Sequence, residues 1–543
     1  MSLRVSSPRR VRERPFQRLH RQTPGRRWPI GKTAEERTLC RDGCAFLSAD
    51  RSATGLGEPD DTLARPPSKG WAHALASAAG VDSVVRPGTW LQLGSPVTGR
   101  RSAGSTDERI VQQATKVLKD NDLGTMVMAA PRLYPHQRSW DAAFIAIGLA
   151  RISVPRAITE MRTLLHTQWD TGMIPHIVFT DVPGYFPGPD VWGTDDAKAK
   201  PTGVQTSGIC QPPIQAIAAA RILQAGRRTG GRDEAEAEAF AIEVVPKLAA
   251  WHRWLSSARD PDGRGLVEIH HGWESGMDNS PRWDDAYAAI AVNKPVELRR
   301  HDTTLVKDAS QRPTDSEYQR YLHLVAQMRS VQYRDTDIPA IIDFRVGDVF
   351  MTAILAVAAQ ELAQMGADVG LSGQVADPLA LAKKAQAGVL SSISPTTGLC
   401  RDFDARSDSW TSAESMASFS ALLCGGDSLV CARQQEIITG PRWAGHPDLA
   451  YALPPTVPPG AEGFQPRTYW RGPNWPVMNW LFAWALRRRG EIALADLWRS
   501  EGLNQLGDLA FSEYYEPFTA EPLGSRNQSW TAAVALDWVA EQA

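Results

Sequence analysis

The first sustained hydrophobic period of the chain begins near Thr106. Ser105, Thr106, Asp107 and Glu108 supply N-cap chemistry, and Ile110, Ala114, Val117 and Leu118 then recur at helical spacing. From there to the C-terminus, apolar runs of helical period alternate with irregular loops rich in Gly, Pro and Trp. The pattern predicts helices over 140–150, 154–168, 213–229, 232–256, 316–331, 346–366, 377–392, 476–488, 492–506 and 529–542. Several carry small residues on one side, as in AAFIAIGLA and AIAAARILQAG, which lets helices approach closely. No alternating β-branched run is long enough to predict a major sheet. Helical hairpins without a fixed-period sequence repeat predict an all-α closed toroid in preference to an α-solenoid.

Residues 1–104 differ from this body. Their opening segment, MSLRVSSPRRVRERPFQRLHRQTPGRRWPIGK, is rich in Arg and Pro with Glu13 as its only acid, and 53–104 stays rich in Gly, Ser and Pro. Such composition buries too little apolar surface to offset its ordering entropy, so a disordered extension is expected before a domain at 105–543. An extension without a folded role accounts for it better than a targeting peptide or a nucleic-acid tail.

Composition narrows the function classes. The 543 residues are 43% hydrophobic and 22% charged with a formal net charge of −2, so no overall field favours nucleic acid or an acidic membrane. The six cysteines, at 40, 44, 210, 400, 424 and 431, form no C-x-x-C pair and no zinc spacing. Scattered thiols predict a cytoplasmic protein without a disulfide framework. The sequence also offers no apolar run of ~18 residues and no apolar segment after the basic start, so neither a membrane span nor a secretory signal is expected. Tryptophan is the unusual total: 19 Trp exceed both 14 Phe and 10 Tyr. Most belong to a large helical core, yet indole faces also stack well on sugar C–H surfaces.

Chemistry concentrates in the loops. YPHQRSWD (134–141), QWDTGMIPH (168–176), GYFPGPDVW (184–192), GICQPP (208–213), HHGWESGMDNSPRWDD (270–285), RTYWRGPNWP (467–476) and FSEYYEPFTAEPLGSRNQSW (511–530) each mix aromatics with hydrogen-bonding side chains and carry Gly or Pro. Seven such loops at successive hairpins predict one shared cleft able to bind a sugar. Glycoside hydrolysis needs two carboxyls, one protonated and one ionised. Asp278 lies beside Trp273 and Met277, which would desolvate it as a general acid requires; Glu513 is flanked by Phe511, Tyr514 and Tyr515, as suits a base holding water. A single loop carboxylate is more often a cap or turn residue, and Glu274, Asp284, Asp285 and Glu516 compete on sequence alone.

Together, HHGWESGMDNSPRWD, RPTDSEYQRYL (312–322), YWRGPNWP and EYYEPFTAEPLG resemble glycoside hydrolase family 63, specifically its bacterial glucosylglycerate/mannosylglycerate hydrolase branch, over residues 105–543. The resemblance implies an (α/α)6 barrel whose loops cap the catalytic pocket; the loops at about 171–205 and 279–315 are long and rich in Gly and Pro, and are expected to order over substrate. It implies an inverting hydrolysis of glucosylglycerate to glucose and glycerate, with Asp278 as acid and Glu513 as base. By the same resemblance, Trp140 and Asp141 hold the glucosyl unit, and Gln211, Trp273, Trp470 and Trp475 wall that subsite. Tyr134, Tyr185, Arg312, Tyr469 and Gln528 match positions on the glycerate, where a guanidinium grips a carboxylate with paired charge-assisted bonds. His176 and Gly276 complete the substrate-binding set, although His176 alone reads as a hydrogen-bonded loop residue. Without the resemblance, Arg312 reads as a surface residue beside Asp308, and Trp470 and Trp475 as core. Arg138 departs from the pattern, standing where the branch has an aromatic residue.

No cofactor and no metal are expected, and the partner is a small-molecule glycoside, with a homo-oligomer implied but no interface identified. Mannosylglycerate or a neutral α-disaccharide is the alternative substrate, and a non-catalytic sugar-binding toroid the remoter reading. A terpenoid cyclase would want DxDD or DDxxD, which TDD at 194–196 and WDD at 283–285 do not match.

Overall fold

A computed structural model describes residues 106–541; the extension expected over 1–104 lies outside them. Among the described residues, six hairpins supply the barrel helices. In chain order these are α1 (Thr106–Asp120), α2 (Ser139–Leu149), α3 (Val154–Leu165), α4 (Gln215–Thr229), α5 (Gly231–Ser257), α6 (Val349–Asp368), α7 (Ala376–Ser391), α8 (Ser420–Cys424), α9 (Ser428–Thr439), α10 (Pro476–Arg488), α11 (Ile492–Gln505) and α12 (Ser529–Ala540). The even-numbered helices touch in sequence, and α12 returns to α2, closing an inner ring. The odd-numbered helices pack outside it, and α1 completes the last hairpin by lying on α12. The fold is an (α/α)6 barrel.

Burial explains which helix goes where. All residues of α2, from Ser139 to Leu149, are buried, as a helix enclosed on every side demands. The outer helix α3 buries one stripe, including Ala157, Ile158, Met161, Leu164 and Leu165, and turns its other face to water. At Gly148 a Cβ would fall 2.3 Å from the Cα of Ala533, so α2 and α12 cross in backbone contact. By length and hydropathy α6 alone among the described helices is apolar enough to cross a membrane, but 83% of that window is buried inside the protein. Its apolarity belongs to the inner ring.

The two ends of the barrel are unequal. Links from inner to outer helices are short, at 150–153, 230, 369–375, 425–427 and 489–491. Links from outer to inner helices are long, at 121–138, 166–214, 258–348, 392–419, 440–475 and 506–528, so all the aromatic-polar loops gather at the N-terminal ends of the inner helices. The link before α6 holds a further helix, Asp315–Ser330, started by a capping box between Thr314 and Glu317. It reaches the 166–214 link through Arg329, which donates to the carbonyl of Asp190 at 3.0 Å.

Two expectations are corrected. The predicted helix at 346–366 begins three residues late, because Val346–Asp348 pairs in an antiparallel sheet between Val267–Ile269 and Phe403–Asp404. Asp348 then takes the amides of Phe350 and Met351 and starts α6. Helices α8 and α9 were not foreseen: α8 is short, and Gly425 and Gly426 separate it from α9.

A buried ion cluster ties the 270–285 loop to this corner. Arg282 donates to both oxygens of Asp402, at 2.7 and 2.6 Å, and to Asp348 at 2.6 Å, with its side chain 1% exposed. Removing the cation leaves two buried carboxylates unmatched, which typically costs about 3–5 kcal/mol. Arg282→Met is therefore expected to lower the urea-unfolding free energy by about that amount; an unchanged midpoint would contradict this role.

Candidate active site

A cavity of about 400 Å³ opens at the long-loop end, within the usual size range for small-ligand sites. Of the predicted site residues, Tyr134, His176, Tyr185, Trp273, Asp278, Arg312 and Tyr469 line it, and both expected cap loops contribute, through Val182–Pro187 and His301–Pro313. Trp140, Asp141, Gln211, Gly276, Trp470, Trp475, Glu513 and Gln528 are buried and are not among its lining residues.

Asp278 is presented by a tight turn. Gly276 sits at φ +73°, and a Cβ there would meet the Trp140 ring at 2.5 Å, so only glycine lets this backbone lie against the indole. The Asp278 side chain is almost out of water, with the residue 7% exposed. Burial pushes its carboxyl up to about 7; Arg138 and then Arg312 pull the other way, and the charge of Glu513 adds to the rise. Glu513 is in a different environment. Its Oε1 accepts from the Tyr134 hydroxyl at 2.8 Å and stands 3.8 Å from Arg312 Nη1, while its Oε2 accepts from the Ser525 amide at 3.1 Å.

The competing carboxylates have other tasks. Glu274 takes both nitrogens of Arg259 at 2.7 Å, plus the His270 amide at 2.7 Å. Glu516 caps the following turn through Phe518 and Thr519. Asp284 pairs with Arg471, and both Asp284 and Asp285 are exposed. None of the four lines the cavity.

Arg312 is no surface residue. It is 7% exposed, lies over the Tyr469 ring at 4.0 Å, and points Nε at Asp302 Oδ2 at 3.3 Å. Asp308, its supposed surface neighbour, instead receives the Ser310 amide. Asp302, missed on sequence, is held by Arg300 at 3.0 and 2.8 Å and so bridges the two guanidiniums. The spacing of Arg300 and Asp302 was the available signal. Burial tends to raise the Asp302 carboxyl, but the bonds from Arg300 and the charge of Arg312 hold it below the usual range.

Arg138 also faces the cavity. Its Nη2 lies 3.0 Å from His176 Nε2, and because arginine only donates, that nitrogen accepts and the proton of His176 sits on Nδ1. Burial, and then the charge of Arg138, keep this imidazole well below its usual range and therefore neutral. Trp470 and Trp475 stack at 3.6 Å and 9°, and Gln211 Oε1 receives the Trp140 amide at 3.4 Å. Asp141 Oδ2, Arg312 Nη1, His176 Nδ1, Trp470 Nε1 and Gln528 Nε2 are buried polar atoms that make no hydrogen bond within the protein. Such a mix of donors and acceptors suits a polyhydroxylated, acidic ligand. Among the described residues no three His, Cys, Asp or Glu side chains are grouped to hold a metal ion.

Comparison with known proteins agrees with this picture. Residues 134–531 match the mannosylglycerate hydrolase MGH1-like glycoside hydrolase domain. A glucosylglycerate hydrolase of Mycolicibacterium hassiacum is 50% identical over 440 residues, covering 80% of this chain and 98% of its own. A crystal structure of the GH63 mannosylglycerate hydrolase of Thermus thermophilus in complex with Tris and D-glycerate superposes with a TM-score of 0.72 at 34% identity, over 79% of this chain and 99% of that one. The same enzyme in complex with glucose gives 0.69 at 33% identity, with the same coverage.

The buried Asp278 makes stability depend on pH. Its folded value, about 7, exceeds the ordinary 3.8, so its contribution is complete below about 4 and is lost as pH rises to about 7. Asp278→Asn escapes that loss. Its urea-unfolding free energy is expected to gain on that of the native chain across this window, at about 1.4 kcal/mol per pH unit at most, and to level off above it. A difference that does not change with pH would contradict the buried, protonated carboxyl.

Proposed function

The chain belongs to the MGH1-like glycoside hydrolases of family 63, and we propose that it hydrolyses 2-O-α-D-glucosylglycerate to glucose and glycerate, with Asp278 as general acid and Glu513 as general base. The observation that carries this reading is the inequality between the two carboxyls. Asp278 is on the cavity wall and holds a proton up to about 7, whereas Glu513 is surrounded by donors. In the proposed reaction Asp278 passes its proton to the glycosidic oxygen as the C–O bond breaks. Glu513 removes a proton from a water molecule that attacks the anomeric carbon from the opposite face, giving inversion.

Binding follows the same division. Arg312, whose Nη1 makes no hydrogen bond within the protein, and the hydroxyls of Tyr134 and Tyr469, which lie 3.3 Å apart, are suited to the glycerate carboxylate, with Tyr185 and Gln528 assisting. Trp140, Asp141, His176, Gln211, Trp273, Trp470 and Trp475 are assigned to the sugar, and Gly276 to the close approach that orders them. The glucosyl unit is favoured by the likeness to the glucosylglycerate hydrolase. Mannosylglycerate, which differs at one hydroxyl, is the second reading, favoured by the structural neighbours. The four described cysteines are buried free thiols, which fits the proposed cytoplasmic setting.

Purified protein is expected to release glucose from glucosylglycerate faster than hexose from mannosylglycerate, glucosylglycolate or trehalose. Release should decline above pH of about 7 as Asp278 loses its proton. Asp278→Asn and Glu513→Gln should each lower kcat by about a hundredfold to ten-thousandfold. Arg312→Ala should raise KM for the charged substrate most. Intact glucosylglycerate after incubation across pH 5 to 8 would refute the substrate, and an active Asp278→Asn the mechanism.

A further inference from the structure

We propose that Arg138 is a specificity-determining residue, a second guanidinium that acts with Arg312 to select glycosides whose aglycone carries a carboxylate beside the scissile bond. The inference rests on the proposed substrate class and assigns a role to a residue not counted in the binding set above.

Three observations lead to it. First, Arg138 is built into the cavity rather than draped over it. Its backbone pairs with Ile177 in a two-residue ladder and forms the N-cap position of α2, and its side chain is 13% exposed on the cavity wall. Secondly, its ion pair within the protein is loose. The nearest carboxylate, Asp141, is 3.6 Å from Nε, beyond hydrogen-bond distance, and the bond to His176 neutralises nothing. Thirdly, Arg138 and Arg312 lie over the same Tyr134 ring, at 4.9 and 5.8 Å, so two cations flank one stretch of wall.

Substrate chemistry gives those cations a purpose. In a 2-O-glycoside of glycerate the carboxylate is bonded directly to the carbon bearing the glycosidic oxygen. An acid that reaches this oxygen must therefore work beside a negative charge, and becomes a second negative charge once its proton has left. Like charges so placed oppose each other unless cations stand between or beside them. Arg138 acts on Asp278 more strongly than Arg312 does. A neutral aglycone presents no such charge and gains nothing from a second guanidinium.

The test separates this role from a structural one and from the proposed substrate. Calorimetry with D-glycerate and, separately, with D-glucose is performed on the native chain and on Arg138→Gln. D-glycerate affinity is expected to fall by about tenfold or more while D-glucose affinity stays within about twofold. In turnover, the ratio of kcat/KM for glucosylglycerate over that for 2-O-α-glucosylglycerol, its neutral counterpart, should fall by a similar factor, and Arg138→Lys should recover part of it. Equal losses for both ligands, as expected if Arg138 only orders Asp141 and His176, would overturn the proposal. So would unchanged D-glycerate affinity, or a native chain that binds no D-glycerate. Arg138→Met serves if the Gln variant does not fold. Native protein that binds D-glycerate but leaves glucosylglycerate intact would refute the substrate while the binding arm still decides Arg138.

Discussion

Taking a carboxyl group out of water makes its negative charge expensive, and the long-loop end of this barrel does so to several carboxyls at once. What differs among them is the supply of compensating donors. Glu274 is fully matched by Arg259, and Asp348 shares Arg282 with Asp402. Glu513 receives a tyrosine hydroxyl and a backbone amide. Asp278 has only its own amide and the more distant fields of Arg138 and Arg312. That graded supply separates the structural carboxyls from the two proposed to act on substrate, and leaves Asp278 holding its proton to the highest pH, about 7.

The scaffold makes such grading sustainable. Inner helices that meet closely, as at Gly148 and Ala533, give the long links a rigid base. The side chains of the candidate site come from the long links and from the first residues of the inner helices. Trp140 and Asp141 start α2, Trp475 and Gln528 are the N-cap positions of α10 and α12, and Asp348 starts α6. The chains of contact are short, from Arg300 through Asp302 to Arg312, and from Arg312 and Tyr134 to Glu513. A change in any one link alters the field at both carboxyls.

The barrel helices were legible where burial is complete, since α2, α6, α10 and α12 read as apolar runs long enough to be helices. α8 and α9 were not, because a short buried segment and a glycine-broken junction leave little periodic signal. The strand at Val346–Asp348 was absorbed into the helix after it, since three buried residues look alike in either state. Within the candidate site, the aromatic loops marked the end of the barrel at which the cavity opens, and seven of the residues named by the resemblance line it. Sequence could not separate Glu274 from Asp278, four positions apart in one motif, because the distinction lies in Arg259, which approaches from outside that motif. Asp302 and the bond between Arg138 and His176 escaped for the same reason: each is a meeting of separate loops that no local pattern announces.

The account depends on a water-fed base and a protonated acid acting across one glycosidic bond, and stereochemistry reads that directly. Proton NMR of the first minutes of glucosylglycerate hydrolysis, faster than mutarotation, resolves the anomer released. The proposed roles of Asp278 as acid and Glu513 as base require β-D-glucose to form first from the α-glycoside. Release of α-D-glucose as the initial product would mean that a carboxyl attacks the sugar itself, and would contradict the mechanism.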